Sequence, residues 1–229
     1  MGRRIAAIIR HGDYHQTPGA PSAHQPYPLN ADGKKHAVEA ATIIQNVQRQ
    51  FDWILAKEID SSQMLRAWQT ADIIAHTLDI QHELLCFDEL AERCVGSAAN
   101  LTADKIVKII HDDPRYDEPP VNWKSNSEYC LPLQGAESLL EAGKRVAEHL
   151  ISRLSGLPAN GPDTLKLFVG HGAAFRHAAF HLGVLQYDDI AHLSMFHGRP
   201  VFIELLPDGR WTHITGEWKI RPVNSEFRD

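Results

Sequence analysis

Short apolar runs alternate with segments of helical period along most of the chain. The runs are typical of buried strands, and the segments between them are long enough for helices. Predicted strands cover residues 5–9, 53–56, 83–85 and 165–169, and predicted helices begin at Asn30, after Ser61-Ser62, and over 103–111, 136–154 and 173–182. A terminal hairpin is predicted from 201–205 and 211–215 around the turn Pro207-Asp208-Gly209.

This alternation predicts an α/β fold, a three-layer α/β/α sandwich whose central sheet is mostly parallel with an antiparallel edge strand. At 229 residues the chain is expected to form a single domain over 1–229. Two proline-bearing stretches, 14–28 and 112–135, break the pattern. Loops of this length are either plain surface excursions or lids and recognition surfaces.

Two predicted helices carry apolar stripes. In the first, the stripe is Ala37, Ala40, Ala41, Ile44 and Val47, and in the second it is Met64, Trp68, Ala71, Ile74 and Leu78. Arg66 stands two places from Met64 and from Trp68, which predicts a position off the second stripe, in the first helical turn. An arginine there is mildly unfavourable against the helix dipole until an anion binds.

Composition narrows the possible partners and surroundings. The net charge of −6 argues against a general binder of nucleic acid or of membrane surfaces. Three scattered cysteines form no disulfide framework and no Cys-x-x-Cys motif, which favours reduced thiols. There is no signal-peptide core and no run of membrane-spanning length, so we expect a soluble, cytoplasmic protein.

Polar residues of catalytic type occur where strands are predicted to end. The segments are Arg10-His11-Gly12, the helix start that carries Arg66, Leu90-Ala91-Glu92-Arg93, and Gly170-His171-Gly172. Ligands of open α/β sheets bind at the carboxyl edge, where such residues meet. Arginine beside histidine suits a dianionic phosphoryl group, and glycine allows a close approach to the backbone.

These segments, in this order, resemble the histidine phosphatase superfamily, also called phosphoglycerate mutase-like. Further likeness lies in Leu29-Asn30-Ala31-Asp32-Gly33, in residues 90–102, and in Ala136-Glu137-Ser138, where the family has Gly-Glu-Ser. The resemblance runs from Ile8 to the terminal hairpin, nearly the whole chain.

The resemblance implies a catalytic set of His11, Arg10, Arg66, Glu92 and His171. His11 would become a phosphohistidine, the arginines and His171 would hold the phosphoryl oxygens, and Glu92 would serve as proton donor. Elementary chemistry agrees, because phosphoryl transfer needs in-line positioning and charge neutralisation, and cations near His11 favour its neutral, nucleophilic form. Glu89, three residues before Glu92, is the alternative donor. No metal or cofactor is required.

Six further residues are predicted to contact the substrate: Gly12, Tyr14, His15, Thr17, Arg93 and Gly172. Many family members have glutamate after Arg-His-Gly, then asparagine, then an arginine of the phosphate pocket. Here Asp13 and Thr17 stand at the first two positions, and no arginine occurs between His11 and Arg49. Tyr14-His15 are therefore candidates for replacement contacts.

The leading hypothesis is a metal-independent phosphohydrolase that acts on a phosphorylated small molecule or a phosphoprotein. The alternatives are a cofactor-dependent phosphoglycerate mutase, which the sequence around Glu92 also resembles, and a binding relative without turnover. The sequence does not fix the substrate or the oligomeric state.

Two other pairs of residues have plainer interpretations. His177 and His181 have the spacing of a zinc pair, but no third ligand is evident, so they are interpreted as structural. Arg145 and Arg176 lie on predicted helices and are expected to be surface residues or intramolecular partners.

Overall fold

A computed structural model describes residues 2–21, 24–79, 83–158 and 160–221. The strands are β1 (Arg4–Arg10), β2 (Ile54–Ser62), β3 (Glu83–Phe87), β4 (Thr164–Gly170), β5 (Leu193–Ser194), β6 (Val201–Leu205), β7 (Trp211–Thr215) and β8 (Lys219–Ile220). The α-helices are α1 (Ala31–Phe51), α2 (Leu65–Thr77), α3 (Ala103–His111), α4 (Leu139–Ser155), α5 (Gly172–His181) and α6 (Tyr187–His192). Short 3-10 turns lie at Asp88–Leu90 and Gly96–Ala98.

Six of these strands form one sheet in the order β3-β2-β4-β1-β6-β7. The first four are mutually parallel, β6 is antiparallel to β1, and β7 is antiparallel to β6. Strands β5 and β8 pair separately. The predicted sheet, with its parallel centre and antiparallel hairpin edge, is therefore confirmed.

Alternate residues of β1 point to opposite faces of the sheet, as a strand requires. Ala6 and Ile8 pack in one apolar core with residues of α4 and α5, while Ile5, Ala7 and Ile9 pack in a second core with residues of α1 and α2. The sheet is thus covered by helices on both faces, which confirms the three-layer arrangement.

Strand β2 is longer than predicted because its carboxyl half is polar and still buried. Asp60 is fully buried, and its carboxylate contacts Lys166 on β4 and His149 and Arg153 on α4. Charged residues are accepted inside the fold when they are paired in this way. The predicted strand 53–56 was therefore too short. Ser61-Ser62 end β2, and α2 begins after them at Leu65, as predicted.

The apolar stripe predicted for α2 is only partly correct. Trp68 is 39% exposed, whereas Ala67, Thr70 and Arg66 are buried together with Ala71 and Ile74. Arg66 lies in the first turn as predicted, but it faces the interior, not the solvent side. Its burial is possible because polar partners surround the guanidinium.

Capping residues fix the starts of two helices that flank the sheet. The Asn30 side chain accepts the Gly33 N–H at the start of α1, as predicted. Ser138 and Glu141 form a reciprocal capping box at the start of α4, so the predicted helix from 136 begins at Leu139. Each cap satisfies backbone donors that the first turn leaves unpaired.

The stretch 112–135 contains no helix or strand, as expected, but it is not a loose excursion. Trp123 and Leu131 are buried in a third apolar cluster with Ile106 and Ile110 of α3. Helix α6 and strands β5 and β8 were not predicted. None of the helices in the described ranges has both the length and the apolar character needed to cross a bilayer.

Candidate active site

The carboxyl ends of three neighbouring strands bring the predicted segments together. Arg10 of β1 lies beside Gly170 of β4, and the His11 N–H donates to the Gly170 carbonyl at 2.9 Å. His11 and His171, which follow these two residues, are therefore neighbours, with ring centroids 5.1 Å apart. Ser62 ends β2 on the other side of β4. This is the sheet edge at which ligands of such folds bind.

The hydrogen bonds of His11 define which ring nitrogen carries the proton. Nδ1 lies 2.7 Å from the Gly12 carbonyl oxygen, which can only accept, so Nδ1 carries the hydrogen. Nε2 lies 3.1 Å from Nε of Arg66, which can only donate, so Nε2 presents its lone pair. His11 is thus a neutral imidazole whose lone pair points toward a guanidinium.

Arg66 joins the two histidines. Its second nitrogen, Nη2, lies 3.2 Å from Nδ1 of His171, and Nη1 donates to the Gln25 carbonyl at 3.0 Å. The Tyr14 ring lies under the guanidinium, 4.6 Å from its carbon. One planar cation therefore contacts both imidazoles, an aromatic face and the loop that precedes α1.

His171 is held as a neutral ring of the opposite tautomer. Because its Nδ1 accepts from Arg66, the proton lies on Nε2, which donates to the Ser62 hydroxyl at 3.0 Å. The ring is fully buried and stands immediately before α5, where it is the N-cap residue.

Arg10 approaches the site from the other side. Its Nη1 donates to the Met195 carbonyl at 3.0 Å. Gly172 leaves room for this side chain, because a β-carbon there would lie 3.0 Å from Cδ of Arg10 and 3.2 Å from its Nε. Gly172 thus serves the site by admitting the arginine.

Glu92 lies at the N-terminus of α5. Its Oε1 accepts the N–H groups of Ala174 and Arg93 at 3.0 Å each, and its Oε2 accepts that of Ala173 at 3.2 Å. The carboxylate therefore satisfies two donors of the first helical turn directly after His171. Glu89, in contrast, is exposed on the 3-10 turn.

Burial and neighbouring charges set the ionisation of the histidines. Burial lowers the pKa of His11 well below its ordinary value, and Arg66, His171, Arg10 and His197 act in the same direction. The pKa of His171 is likewise lowered, first by burial and then by Arg66. Both rings are therefore neutral near pH 7, and the two guanidinium groups beside them favour that neutral form.

Four of the six predicted contact residues lie in or against this cluster. Tyr14 meets the His11 ring edge to face, with centroids 5.3 Å apart, and Gly172 adjoins Arg10. Gly12 donates its N–H to the Thr70 hydroxyl, and a β-carbon on it would clash with the Gly33 backbone, so its tight contact is with α1. The Arg93 N–H donates to the Glu92 carboxylate, whereas its guanidinium stacks over Trp123, with its carbon 5.7 Å from the ring centre.

The other two predicted contact residues are directed elsewhere in this structure. The His15 side chain is exposed. Thr17 bonds within its own loop, its N–H to Gln25 and its hydroxyl to Tyr27. Their predicted contacts with substrate are therefore not supported by the geometry, because loop 14–28 folds on itself at these two positions.

Three residues of the cluster were not predicted. Nδ1 of His197 lies 2.9 Å from the His11 carbonyl, and burial followed by Arg10 lowers the pKa of His197 to about 3. His24 is close enough to lower the pKa of His171, and Gln25 meets Arg66 through its carbonyl. Isolated loop residues carry no periodic signal, so only the tertiary fold reveals them.

The remaining residues make contacts within the protein. Nε2 of His177 lies 3.0 Å from the Ser127 hydroxyl, and Nε2 of His181 lies 2.9 Å from the Leu140 carbonyl. In the ranges that the structure describes, no three His, Cys, Asp or Glu side chains are grouped to hold a metal. Arg176 is buried and donates to the Leu193 carbonyl, so it is an intramolecular partner and not a surface residue.

Fold and site together define an α/β protein with two neutral histidines and two arginines at the carboxyl edge of a parallel sheet. A family model described as the histidine phosphatase superfamily (branch 1) matches residues 6–213, so the chain belongs to this superfamily. The predicted superfamily is thereby confirmed. A comparison with the curated protein sequences found no match.

Solved structures share the fold at low sequence identity. A mycobacterial glucosyl-3-phosphoglycerate phosphatase is 18% identical with a TM-score of 0.69, covering 95% of this chain and 97% of that one. An alpha-ribazole phosphatase from Shigella flexneri is 20% identical with a TM-score of 0.69, covering 96% and 100%. A phosphoglycerate mutase from Bacillus anthracis is 17% identical with a TM-score of 0.71, covering 93% and 92%.

Proposed function

We propose that this protein hydrolyses a phosphomonoester without a metal, through a phosphohistidine on His11. The proposal rests on the protonation state and tautomer of the His11 imidazole. It is neutral, its Nδ1 proton is fixed by the Gly12 carbonyl, and its Nε2 lone pair faces the Arg66 guanidinium. A nucleophile and the cation that would hold its target phosphate therefore share one small volume.

In the first step, Nε2 of His11 attacks phosphorus and the bond to the ester oxygen breaks. The bound phosphate would take over the donor that Arg66 now gives to Nε2. The Gly12 carbonyl keeps the proton on Nδ1 and stabilises the positive charge that develops on the ring as the N–P bond forms.

Arg10 and Arg66 would neutralise the equatorial oxygens, and His171, whose Nδ1 accepts from Arg66 in this structure, would hold an oxygen once a proton is bound at that nitrogen. Two guanidinium groups would supply the positive charge that this transition state needs, so the proposed reaction requires no metal ion. Ser62 holds the proton of His171 on Nε2, which fixes the orientation of that ring.

Glu92 would be protonated when the ester binds and would give its proton to the leaving oxygen. In the second step the carboxylate takes a proton from water, the hydroxyl attacks phosphorus, and the N–P bond breaks to release phosphate and free His11. Glu92 is preferred to Glu89 for this role, because it is buried beside His171 whereas Glu89 is exposed.

The substrate class of the proposal is a phosphorylated metabolite or a phosphorylated protein side chain. The fold neighbours include phosphatases named for glucosyl-3-phosphoglycerate and alpha-ribazole phosphate, which makes small phosphorylated sugars and nucleoside-like esters the first compounds to test. Tyr14 and the Arg93–Trp123 pair would border the group that carries the phosphate.

The test is phosphate release from p-nitrophenyl phosphate in the presence of a chelator, followed by a panel of metabolites and phosphopeptides. Wild-type protein should turn over, and His11→Ala should not. His181→Ala, a histidine outside the site, is the matched control and should retain activity.

The other two hypotheses are outcomes of the same series. Equilibration of 2- and 3-phosphoglycerate with a trace of the bisphosphate, without net phosphate release, would favour a mutase. Binding of phosphate esters with no turnover of any compound would favour the non-catalytic relative and overturn the proposal.

A further inference from the structure

Glu92 is carried by an irregular segment, not by a helix or strand. The segment runs from the 3-10 turn Asp88–Leu90 to the 3-10 turn Gly96–Ala98. Such a segment has no ladder of its own to fix a side chain. The α5 N–H groups bind the Glu92 carboxylate directly, and the position of its backbone depends on what holds the segment on either side.

On the amino-terminal side, Arg145 of α4 holds this segment. Its Nη1 lies within hydrogen-bonding distance of three carbonyls, 3.1 Å from that of Asp88, 2.7 Å from that of Glu89 and 3.3 Å from that of Ala91. One guanidinium thus gathers the turn immediately before Glu92.

On the carboxyl-terminal side, Glu137 holds it. Its Oε1 accepts the Cys94 N–H at 3.0 Å, and its own N–H donates to the Cys94 carbonyl at 3.0 Å. Val95 forms an isolated antiparallel bridge with Ala136. Gly96 comes so near that a β-carbon would lie 2.6 Å from the Gln134 carbonyl oxygen.

An ion pair joins the two residues that hold this segment. Nη2 of Arg145 lies 2.6 Å from Oε1 of Glu137, and both side chains are mostly buried, at 27% and 20% exposure. Arg145 has one side of its fork on the carbonyls and the other on the carboxylate, an arrangement that the compact ammonium of lysine cannot reproduce. The pair therefore spans Glu92 from residue 88 to residue 94.

We propose that the Arg145–Glu137 pair positions Glu92 for proton transfer to the leaving group. This rests on the proposed function, because it takes Glu92 as the proton donor. Arg145 and Glu137 are positioning residues, since their side chains bond to the Glu92 segment and to each other. Helix α4 already packs through a buried apolar face that includes Ala142, Val146 and Leu150. What the Arg145–Glu137 pair contributes beyond this packing is the position of the segment that carries Glu92.

The test uses leaving groups of different basicity. p-Nitrophenolate departs without a proton, whereas phenolate needs one, so p-nitrophenyl, p-chlorophenyl and phenyl phosphate differ mainly in their demand on the acid. kcat/KM for each ester covers the steps up to the first phosphoryl transfer. A general acid contributes about 10²–10⁴-fold, and a misplacement of about 1 Å can cost about 10²-fold.

Arg145→Met should lower kcat/KM for phenyl phosphate about 10²-fold and that for p-nitrophenyl phosphate only a few-fold. The ratio of kcat/KM for p-nitrophenyl phosphate to kcat/KM for phenyl phosphate should therefore rise in Arg145→Met. It should rise further in Glu92→Gln, and in Arg145→Lys it should lie between the values for wild type and Arg145→Met. Lys144→Met, which removes a neighbouring exposed cation of α4, should leave the ratio unchanged.

A loss that is equal for all three esters in Arg145→Met would overturn the proposal, because damage to the fold alone does not depend on the leaving group. If Arg145→Met does not fold, Arg145→Lys and Glu137→Gln decide by the same ratio. A wild-type protein that hydrolyses none of the esters would instead refute the proposed function, and a Glu92→Gln variant without leaving-group selectivity would refute the acid role of Glu92.

Discussion

His11 is a buried imidazole whose chemistry is set by its immediate neighbours. Burial and the adjacent guanidinium groups lower its pKa, so the ring remains unprotonated where a free imidazole would already be charged. The Gly12 carbonyl selects which nitrogen holds the proton, and Arg66 meets the other. Charge and tautomer are therefore both fixed before a substrate arrives.

The pH dependence of kcat/KM should reflect this lowered pKa. Protonation of His11 removes the attacking lone pair, and because the pKa is lowered, that loss should occur well below pH 6.5. After correction for ionisation of p-nitrophenyl phosphate, the acid limb should lie below this value. Removal of the cation in Arg66→Gln should raise the pKa of His11, measured by NMR titration of its ring. An unchanged His11 pKa in that variant would contradict the electrostatic account.

Residue types and their order in the chain were enough to predict that His11, Arg66 and His171 meet, because strand ends share one edge of a parallel sheet. His197, His24 and Gln25 could not be found in this way. They enter from loops whose path depends on contacts such as the bond from His197 to the His11 carbonyl. Asp60 and Arg66 show the same limit, since a hydrophobicity pattern does not identify charges that are buried against partners.

Among the elements, β1 and α1 meet through glycine. Gly12 follows β1 and lies directly on Gly33 in the first turn of α1, with no space for a β-carbon on either residue. The same turn is capped by Asn30, whose amide also donates to Asp13 at 2.7 Å. The start of α1 thus supports the backbone directly after His11.

Gly12→Ala should therefore separate α1 from the loop that follows β1. We expect a loss of about 1–3 kcal/mol in the free energy of unfolding, by urea titration, because a methyl group is forced into a packed contact. Phosphatase activity should fall by more than the unfolded fraction of the variant accounts for, since His11 moves with the loop.

Gly156→Ala is the control, because its β-carbon would meet the nearest atom at 3.6 Å and its φ is −73°. It should be neutral or slightly stabilising. Equal stability of Gly12→Ala and wild type would show that the contact between β1 and α1 is not tight.

For the whole molecule, neutral buried histidines make folding sensitive to acid. The pKa values of His11 and His171 are lowered well below the ordinary value, and that of His197 is lowered to about 3. In the unfolded chain these rings bind protons below about pH 6.5, whereas in the folded protein they do not. Stability that is complete above that pH is therefore lost as the pH falls through and below it.

Each such ring should add a slope of up to about 1.4 kcal/mol per pH unit to the free energy of unfolding below about pH 6. Urea titrations over a series of pH values measure this slope. His11→Gln should reduce this slope by the share of one ring. A flat profile from neutral pH to about pH 5 would mean that these rings are already charged in the folded protein.

Isolation of the phosphorylated enzyme is the most direct test of the account. Glu92→Gln, mixed with radiolabelled p-nitrophenyl phosphate and quenched in base, should retain the label, because departure of p-nitrophenolate needs no acid while hydrolysis of the intermediate needs the carboxylate. Mass spectrometry should then place one phosphoryl group on His11. The double variant that carries both Glu92→Gln and His11→Ala should retain no label. A label on any other residue, or phosphate release that persists in His11→Ala, would contradict the proposal that His11 is the nucleophile.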